Sequence, residues 1–288
     1  AVTRGGVVVW SWHLWFAPKE VLNTTEVTNA QSKKYKFANE TLGWKYTTYV
    51  ATNYSSPRSV KVKVEQSTGQ VGNIQTGIIT ITQNNYRLRK GYSALYQWGR
   101  KDAFPGVASV AEGSYGYYKA SPVTYLYQDC ILHPETMIYS IEGIQSNTTN
   151  WGNLWSMDHI ARTLKNDPVV KTIYDPCPAG FKMPESNAFT GFVKGSYTLN
   201  ASGTWDNGWN FNNKLTAPDA TIYIPVTGLQ NSYGGYISNV GMDGWYWTIG
   251  GYDGDIRQDY QFYVSKTSAG LSNMNHDYGL AVRPIFDE

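Results

Sequence analysis

The sequence predicts an α+β protein dominated by antiparallel β-strands, with two or three short helices. Composition is the first indication: 15% of the 288 residues are aromatic and 28 are Gly, whereas only 16% are charged. Tyr and Trp suit pleated, half-buried surfaces, and Gly supplies turns. The second indication is a set of short segments in which side chains alternate with the period of a strand. Helical spacing is confined to a few short runs.

The first predicted strand covers residues 7–17, VVVWSWHLWFA. Its side chains fall on two faces, Trp10, Trp12, Leu14 and Phe16 on one and Ser11, His13 and Trp15 on the other. Because both faces are rich in apolar residues, we expect a strand that is buried on both sides or nearly so. Further strands are predicted at residues 42–54, 60–65, 77–82, 222–226, 244–250, 260–265 and 278–285.

Helices are predicted at three places. Residues 154–165 are the best candidate, since Leu154, Met157, Ala161 and Leu164 recur at helical spacing. Shorter helices are predicted at residues 123–132 and 186–193. Residues 231–243, which contain several glycines, are predicted to form a loop.

A proline-rich stretch from Tyr174 to Phe192 connects the main predicted helix to the C-terminal half. Proline fixes φ and lacks a backbone donor, so Pro176, Pro178 and Pro184 exclude an ordinary helix or a central strand. We therefore expect a rigid connection of defined shape, with Cys177 filling space beneath it.

The sequence is interpreted as one domain, residues 1–288, because no fixed-period repeat or low-complexity linker divides it. The net charge of +2 conceals an asymmetry: up to Lys101 there are fourteen Lys and Arg against four Glu, and thereafter ten against eighteen acidic residues. A basic face for an acidic partner is one interpretation, and solvent-facing lysines on strands are the other. The N-terminal apolar run is too short to span a bilayer. Its abrupt start suggests that upstream domains are absent from this chain.

Five segments appear in fixed order: LYQWGRKDAFPG (95–106), TIYDPCPAGFKMP (172–184), IYIPVTGLQN (222–231), GWYWT (244–248) and YGLAVRPI (278–285). This order resembles the C-terminal domains of fimbrillin-like and major-paralogous-domain surface proteins of the Bacteroidetes. The resemblance implies an exported protein, extracellular or at the outer-membrane surface, including a place in a fimbrium. It also implies a β-rich N-terminal part (1–90) and a C-type lectin-like part (91–288).

Two departures from that family bear on the cysteines and on one loop. Thr248 is followed by Ile-Gly-Gly where relatives commonly have a serine-rich tract, and Cys130 lies where the family usually has no cysteine. A disulfide between Cys130 and Cys177 and a pair of buried thiols are both compatible with the sequence.

The acidic loop at residues 252–259 is a candidate Ca²⁺ site, because Asp253, Asp255 and Asp259 offer the hard oxygen ligands that this ion selects. No Glu occupies the twelfth position of an EF-hand loop, and a solvated turn is the alternative. No other metal or cofactor is expected.

A ligand site is predicted on the aromatic loops of the C-terminal half. Its candidate residues are Trp205, Trp209, Tyr233, Tyr246, Tyr252, Asp253 and Asp255. Aromatic rings can stack on the apolar faces of sugars, while Asp and Asn bond hydroxyls. Trp245 and Trp247 belong to the same aromatic set, but because they share one strand face, a place in the core is the alternative for them.

The predicted function is a non-catalytic adhesion or binding module whose ligand is a glycan or a host-surface protein. No catalytic residues are nominated, since the four His are scattered and no GxSxG motif occurs. No nucleic-acid partner is expected, because a basic run is absent, and any membrane contact would be made by the upstream region. The alternative is a structural pilus subunit that polymerises by strand addition. An uncommitted strand in VVVWSWHLWF would favour the subunit, and a concave aromatic pocket would favour the adhesin.

Overall fold

Antiparallel strands make up most of the structure, a computed structural model that describes residues 1–46, 58–66, 69, 72, 74–83, 91–107, 127–137, 154–157, 170–232, 234–252 and 258–288. The chain divides into two compact units. The first consists of Ala1–Thr47 with Gly91–Glu288, and the second of Thr48–Lys90.

The predicted α+β class is wrong, because the protein is mostly β: strands account for 47% and helices for 6% of the structure. The described helices are the α-helix α1 (Tyr127–Leu132) and two 3₁₀-helices, Lys19–Leu22 and Ala188–Phe192. Each spans six residues or fewer. The predicted helix at 154–165 does not begin as one, because Leu154–Met157 form a turn in which Ser156 bridges Lys171.

Strands of the N-terminal half are β1 (Val2–Arg4), β2 (Val7–Trp10), β3 (Thr24–Thr28), β4 (Lys34–Ala38), β5 (Lys45–Tyr46), β6 (Arg58–Glu65), β7 (Thr76–Gln83), β8 (Gly91–Tyr92), β9 (Ala94–Gln97) and β10 (Phe104–Pro105). Those that follow are β11 (Phe181–Lys182), β12 (Val193–Lys194), β13 (Thr198–Leu199), β14 (Ala201–Ser202), β15 (Gly208–Asn212), β16 (Thr221–Pro225), β17 (Thr227–Gln230), β18 (Ile237–Val240), β19 (Asp243–Gly251), β20 (Gln258–Ser265), β21 (Ala269–Asn275), β22 (Gly279–Leu280) and β23 (Ile285–Phe286).

The largest sheet of the first unit has the order β10-β9-β22-β17-β19-β20-β21, with β18 paired to β17. Its pairs are antiparallel except β17 with β19, which meet in parallel at Gly228 and Gly244. A four-stranded sheet, β11-β23-β4-β3, and a three-stranded sheet, β14-β15-β16, complete the main layers. Gly228 lies at φ +68°, and a Cβ there would come 2.3 Å from the carbonyl oxygen of Ser238 in β18. The close approach of β17 to β18 therefore requires glycine at this position.

Two apolar clusters form the core of the first unit. In one, Phe262 stacks on Phe189 at 4.8 Å and also contacts Phe192, Phe211 and Tyr246. The other contains fully buried aromatic and aliphatic side chains, among them Tyr96, Trp155, Trp247, Leu280 and Val282.

The five ordered segments that the sequence analysis singled out supply much of this core. Trp247 donates from its indole to the Tyr96 carbonyl oxygen at 2.7 Å and is fully buried. Arg283, also fully buried, donates from Nε to the Ala38 carbonyl at 2.7 Å and from Nη2 to the Asn39 carbonyl at 2.7 Å. These residues therefore hold strands together.

The proline-rich stretch has a defined shape, set by Asp175. Its Oδ1 accepts from the Cys177 N–H at 2.7 Å and its Oδ2 from the Met183 N–H at 2.9 Å. Lys171 Nζ donates to the carbonyl oxygens of Cys177 and Pro178 at 2.7 and 3.0 Å. The stretch ends in the 3₁₀-helix Ala188–Phe192, whose Phe189 and Phe192 side chains pack in the core.

Strand predictions in the C-terminal half were close to the structure in several places. The predictions at 222–226, 244–250 and 260–265 match β16, β19 and β20. The predicted strand at 278–285 is two short strands, β22 and β23, and the predicted loop at 231–243 contains β18.

The N-terminal segment differs from its prediction. Only Val7–Trp10 is a strand, and residues 11–18 belong to no helix or strand. The expected burial on both sides is wrong, because Trp12, Leu14 and Phe16 are 65%, 72% and 91% exposed. The predicted alternation is present only in part, since Ser11 is buried and Trp15 packs against the core but His13 is exposed like its neighbours.

In the second unit, the described strands β6 and β7 form a two-stranded antiparallel ribbon. They confirm the strands predicted at 60–65 and 77–82. The predicted strand at 42–54 falls mostly outside the described residues, apart from β5.

Candidate functional site

The most exposed apolar surface described in the first unit lies on the N-terminal segment. Trp12, Leu14 and Phe16 are spaced two residues apart, so in an extended backbone they project to the same side. Large exposed apolar groups that are adjacent to one another mark contact surfaces. We call these three side chains the N-terminal stripe.

A buried polar cluster anchors the segment beneath the stripe. Ser11 Oγ donates to Asp102 Oδ1 at 2.5 Å, and Lys101 Nζ donates to Ser11 Oγ. The ammonium group of Lys101 also lies 2.6 Å from Asp102 Oδ1 and 4.6 Å from the centre of the Trp10 ring. His13 Nδ1 lies 2.7 Å from the hydroxyl of Tyr96.

A second cation completes this cluster. Arg100 Nη2 lies 3.8 Å from Asp102 Oδ2, and Nη1 donates to Gln97 Oε1 at 2.8 Å and to the Thr136 carbonyl at 2.7 Å. The Arg100 carbonyl in turn accepts from the Trp155 indole at 2.9 Å. The run of three charged residues, Arg100–Asp102, therefore fixes the wall on which the N-terminal segment lies.

A serine beside a lysine can be a nucleophile and its base, but only where the lysine is neutral. Here Lys101 Nζ donates both to Asp102 Oδ1, at 2.6 Å, and to Ser11 Oγ, so Lys101 is the donor and not the acceptor of the bond with Ser11. The cluster accordingly positions the segment.

The segment forms one wall of a cleft of about 600 Å³. Ser11, Trp12, His13 and Leu14 provide this wall. The rest of the lining comprises Gly43, Tyr92, Ser93, Ala94, Asp102, Ala103, Phe104, Pro105, Pro134 and Glu135. The sequence analysis did not predict this site. The signal that could have indicated it is the run of three charged residues, Arg100–Asp102, in a chain with few charges.

The structure does not gather the described members of the predicted aromatic ligand set into one site. Trp205 and Trp209 are half-buried, 5.7 Å apart, and packed against the core. Tyr246 is fully buried, and its hydroxyl donates to the Pro225 carbonyl at 2.5 Å. No ligand can reach Tyr246 in this fold.

The two predicted ligand loops lie at opposite ends of β20. Trp209 Nε1 donates to the carbonyl of Ser265, the last residue of β20, at 3.1 Å. The Tyr252 N–H donates to the carbonyl of Gln258, the first residue, at 3.0 Å. Eight residues of strand separate these ends by about 24 Å. A single small ligand cannot span them.

The predicted Ca²⁺ residues lie only partly within the described chain. Asp253 and Asp255, like Tyr233, fall outside it. Asp259 is buried, and its Oδ2 lies 3.7 Å from His276 Nδ1. Among the described residues, no group of three or more His, Cys, Asp or Glu side chains could hold a metal ion.

Both cysteines are buried thiols, one of the two alternatives that the sequence allows. Burial, followed by the nearby Asp175 charge, raises the pKa of the Cys177 thiol well above its ordinary value. This thiol therefore remains protonated and has little nucleophilic reactivity.

No protein family, curated protein or solved structure significantly matches this chain. Within the part of the chain that the structure describes, no helix is both long and apolar enough to cross a membrane.

Proposed function

We propose that this chain is a non-catalytic structural subunit of a fimbrillin-like surface assembly, and that residues 11–17 supply a strand to a neighbouring subunit. The observation that carries the proposal is the N-terminal stripe, in which Trp12, Leu14 and Phe16 are 65–91% exposed. The proposed location is extracellular or at the outer-membrane surface.

Strand addition requires an extended segment with backbone groups available for pairing and side chains that alternate in direction. Among the described residues, residues 11–18 are in no strand and pair with none, which leaves residues 11–17 as the candidate donor segment. Complete burial of an apolar side chain stabilises by about 1.5–3 kcal/mol. The exposed fractions of the three side chains therefore make about 3–7 kcal/mol available to a contact.

The buried cluster explains how such a stripe persists without collapsing onto its own domain. Ser11 is held by Asp102 and Lys101, and His13 lies against Tyr96. These contacts hold Ser11 and His13 against the domain, while the side chains of the stripe remain exposed. A segment held in its bound conformation loses less conformational entropy on association.

The second candidate is an adhesion module, and the cleft of about 600 Å³ is the observation that favours it. Its wall combines the Trp12 indole and the Tyr92 ring with the Glu135 carboxylate, groups that could stack on a sugar and bond its hydroxyls. A glycan or an extended segment of a host-surface protein would be its ligand.

The test uses a variant of the full chain in which the stripe is removed by three substitutions together, Trp12→Ser, Leu14→Ser and Phe16→Ser. We expect this variant to remain folded and to lose self-association in sedimentation velocity and electron microscopy. A matched control replaces three apolar residues of similar exposure, Met157, Ile173 and Met242, which are 65–73% exposed.

Equal assembly of the stripe variant and the control variant would overturn the proposal. Glycan binding by a chain that stays monomeric, lost in Tyr92→Ala, would instead support the adhesion module.

A further inference from the structure

The two faces of the ribbon in the second unit differ: one is apolar, and the other carries most of the polar side chains. Residues directly opposite each other in an antiparallel pair share a face. Val60 pairs with Ile81 and Val62 with Ile79, and all four are 42–60% exposed. The other face is mixed: it carries Lys61, Lys63, Thr80 and a hydrogen bond between Ser59 Oγ and Thr82 Oγ1, and also Ile78, which is 67% exposed.

Among the described residues, β6 and β7 each have one edge that pairs with no strand, and these two edges differ in charge. In β6, Lys61 and Lys63 disfavour pairing with a second copy of the same strand, because antiparallel pairing would place Lys61 of one copy opposite Lys63 of the other. Strand β7, TGIITITQ, has no charged residue and no proline. Uncharged, β-branched strands of this kind readily pair with another chain.

We propose that two copies of this chain associate through β7, which pairs antiparallel with the β7 of the second copy about a two-fold axis at Thr80. Among the described residues the ribbon has only two strands, and two-stranded sheets are marginally stable in water. Pairing makes a four-stranded sheet.

The sequence of β7 is complementary to itself in this register. Thr80 meets Thr80 of the second copy, Ile79 meets Ile81, and Ile78 meets Thr82. No like charges face each other, and the two apolar faces become one continuous surface. Because β7 is complementary to itself in this register, a second copy of this chain is the partner that fits the edge of β7.

This contact is independent of the proposed strand donor, because it uses residues 76–83 and not residues 11–17. Loss of association in the stripe variant but not in β7 variants, or the reverse, separates the two proposals.

The first test places a cysteine at the axis in the full chain. Thr80→Cys is expected to give a disulfide-linked dimer of twice 32.3 kDa under mild oxidation. Thr76→Cys is the matched control on the same strand and face: in this register its two copies lie about 27 Å apart, too far for a disulfide.

The second test uses charge at the same position. Thr80→Glu pairs favourably with Lys61 across its own ribbon but faces a second Glu across the axis. We expect dimerisation to weaken about fivefold or more. Thr80→Lys should weaken it likewise, a mixture of the two variants should restore a heterodimer, and Thr80→Gln should retain the wild-type dimer.

Three results would overturn the proposal: a wild-type chain that is monomeric at all concentrations, a dimer that Thr80→Glu leaves unchanged, or crosslinking of Thr80→Cys to His13→Cys in preference to itself. The last would show that the N-terminal segment occupies this edge.

Discussion

Removal of the Asp102 carboxylate is expected to lower the free energy of unfolding by about 3–5 kcal/mol, because it leaves buried cations without their partner. The Asp102 side chain is 8% exposed and lies 2.6 Å from Lys101 Nζ and 3.8 Å from Arg100 Nη2. Both cations are buried, since the Lys101 side chain is 8% exposed and that of Arg100 is 2% exposed. In Asp102→Ala, the buried hydroxyl of Ser11 also loses its acceptor.

The assay is urea unfolding of the full chain, followed by tryptophan fluorescence, because Trp10 and Trp155 lie beside the cluster. The control is Glu26→Ala, which removes an exposed cross-strand pair with Lys34 at 2.8 Å and is expected to match the wild type. If Asp102→Ala costs less than about 1 kcal/mol, or no more than the control, the cluster does not anchor the segment.

Three further predictions concern other parts of the first unit. Cys130 and Cys177 should react with a thiol reagent only after unfolding, whereas a disulfide would leave no thiol to titrate without reductant. Phe262→Ala should cost about 3–5 kcal/mol in urea unfolding, and the 40% exposed Phe286→Ala much less; similar losses would contradict the assigned core. Partial removal of water from its ring lowers the pKa of His13 below 6.5. The unfolded chain therefore binds more protons there, so the stability due to His13 is present above pH 6.5 and is lost as the pH falls. His13→Asn should remove this component from the stability–pH profile, and an unchanged profile would refute it.

Strand positions could be predicted where the local pattern and the environment agree. The strand β20, Gln258–Ser265, is an example, because its two neighbours in the sheet, β19 and β21, are the strands directly before and after it in the chain. The residues that build the anchoring cluster could not be predicted as a group. Ser11 and Asp102 are 91 residues apart and meet only through the tertiary fold.

The wrong predictions have physical reasons. Apolar alternation at Trp12, Leu14 and Phe16 predicts a buried strand, but alternation does not say whether a partner covers the segment, and these side chains are exposed. Helical spacing at residues 154–165 fails at its start because Trp155 is held by the Arg100 carbonyl and Ser156 by Lys171. Such long-range contacts override a weak local preference.

Hydrogen–deuterium exchange at residues 11–17, compared between the monomer and the assembled protein, tests the proposed strand donor most directly. Because these residues pair with no strand among the described residues, their amides should exchange rapidly in the monomer. Strand addition predicts strong protection of alternate amides on assembly, together with burial of Trp12 and Phe16. Equally rapid exchange in an assembled sample would contradict the account.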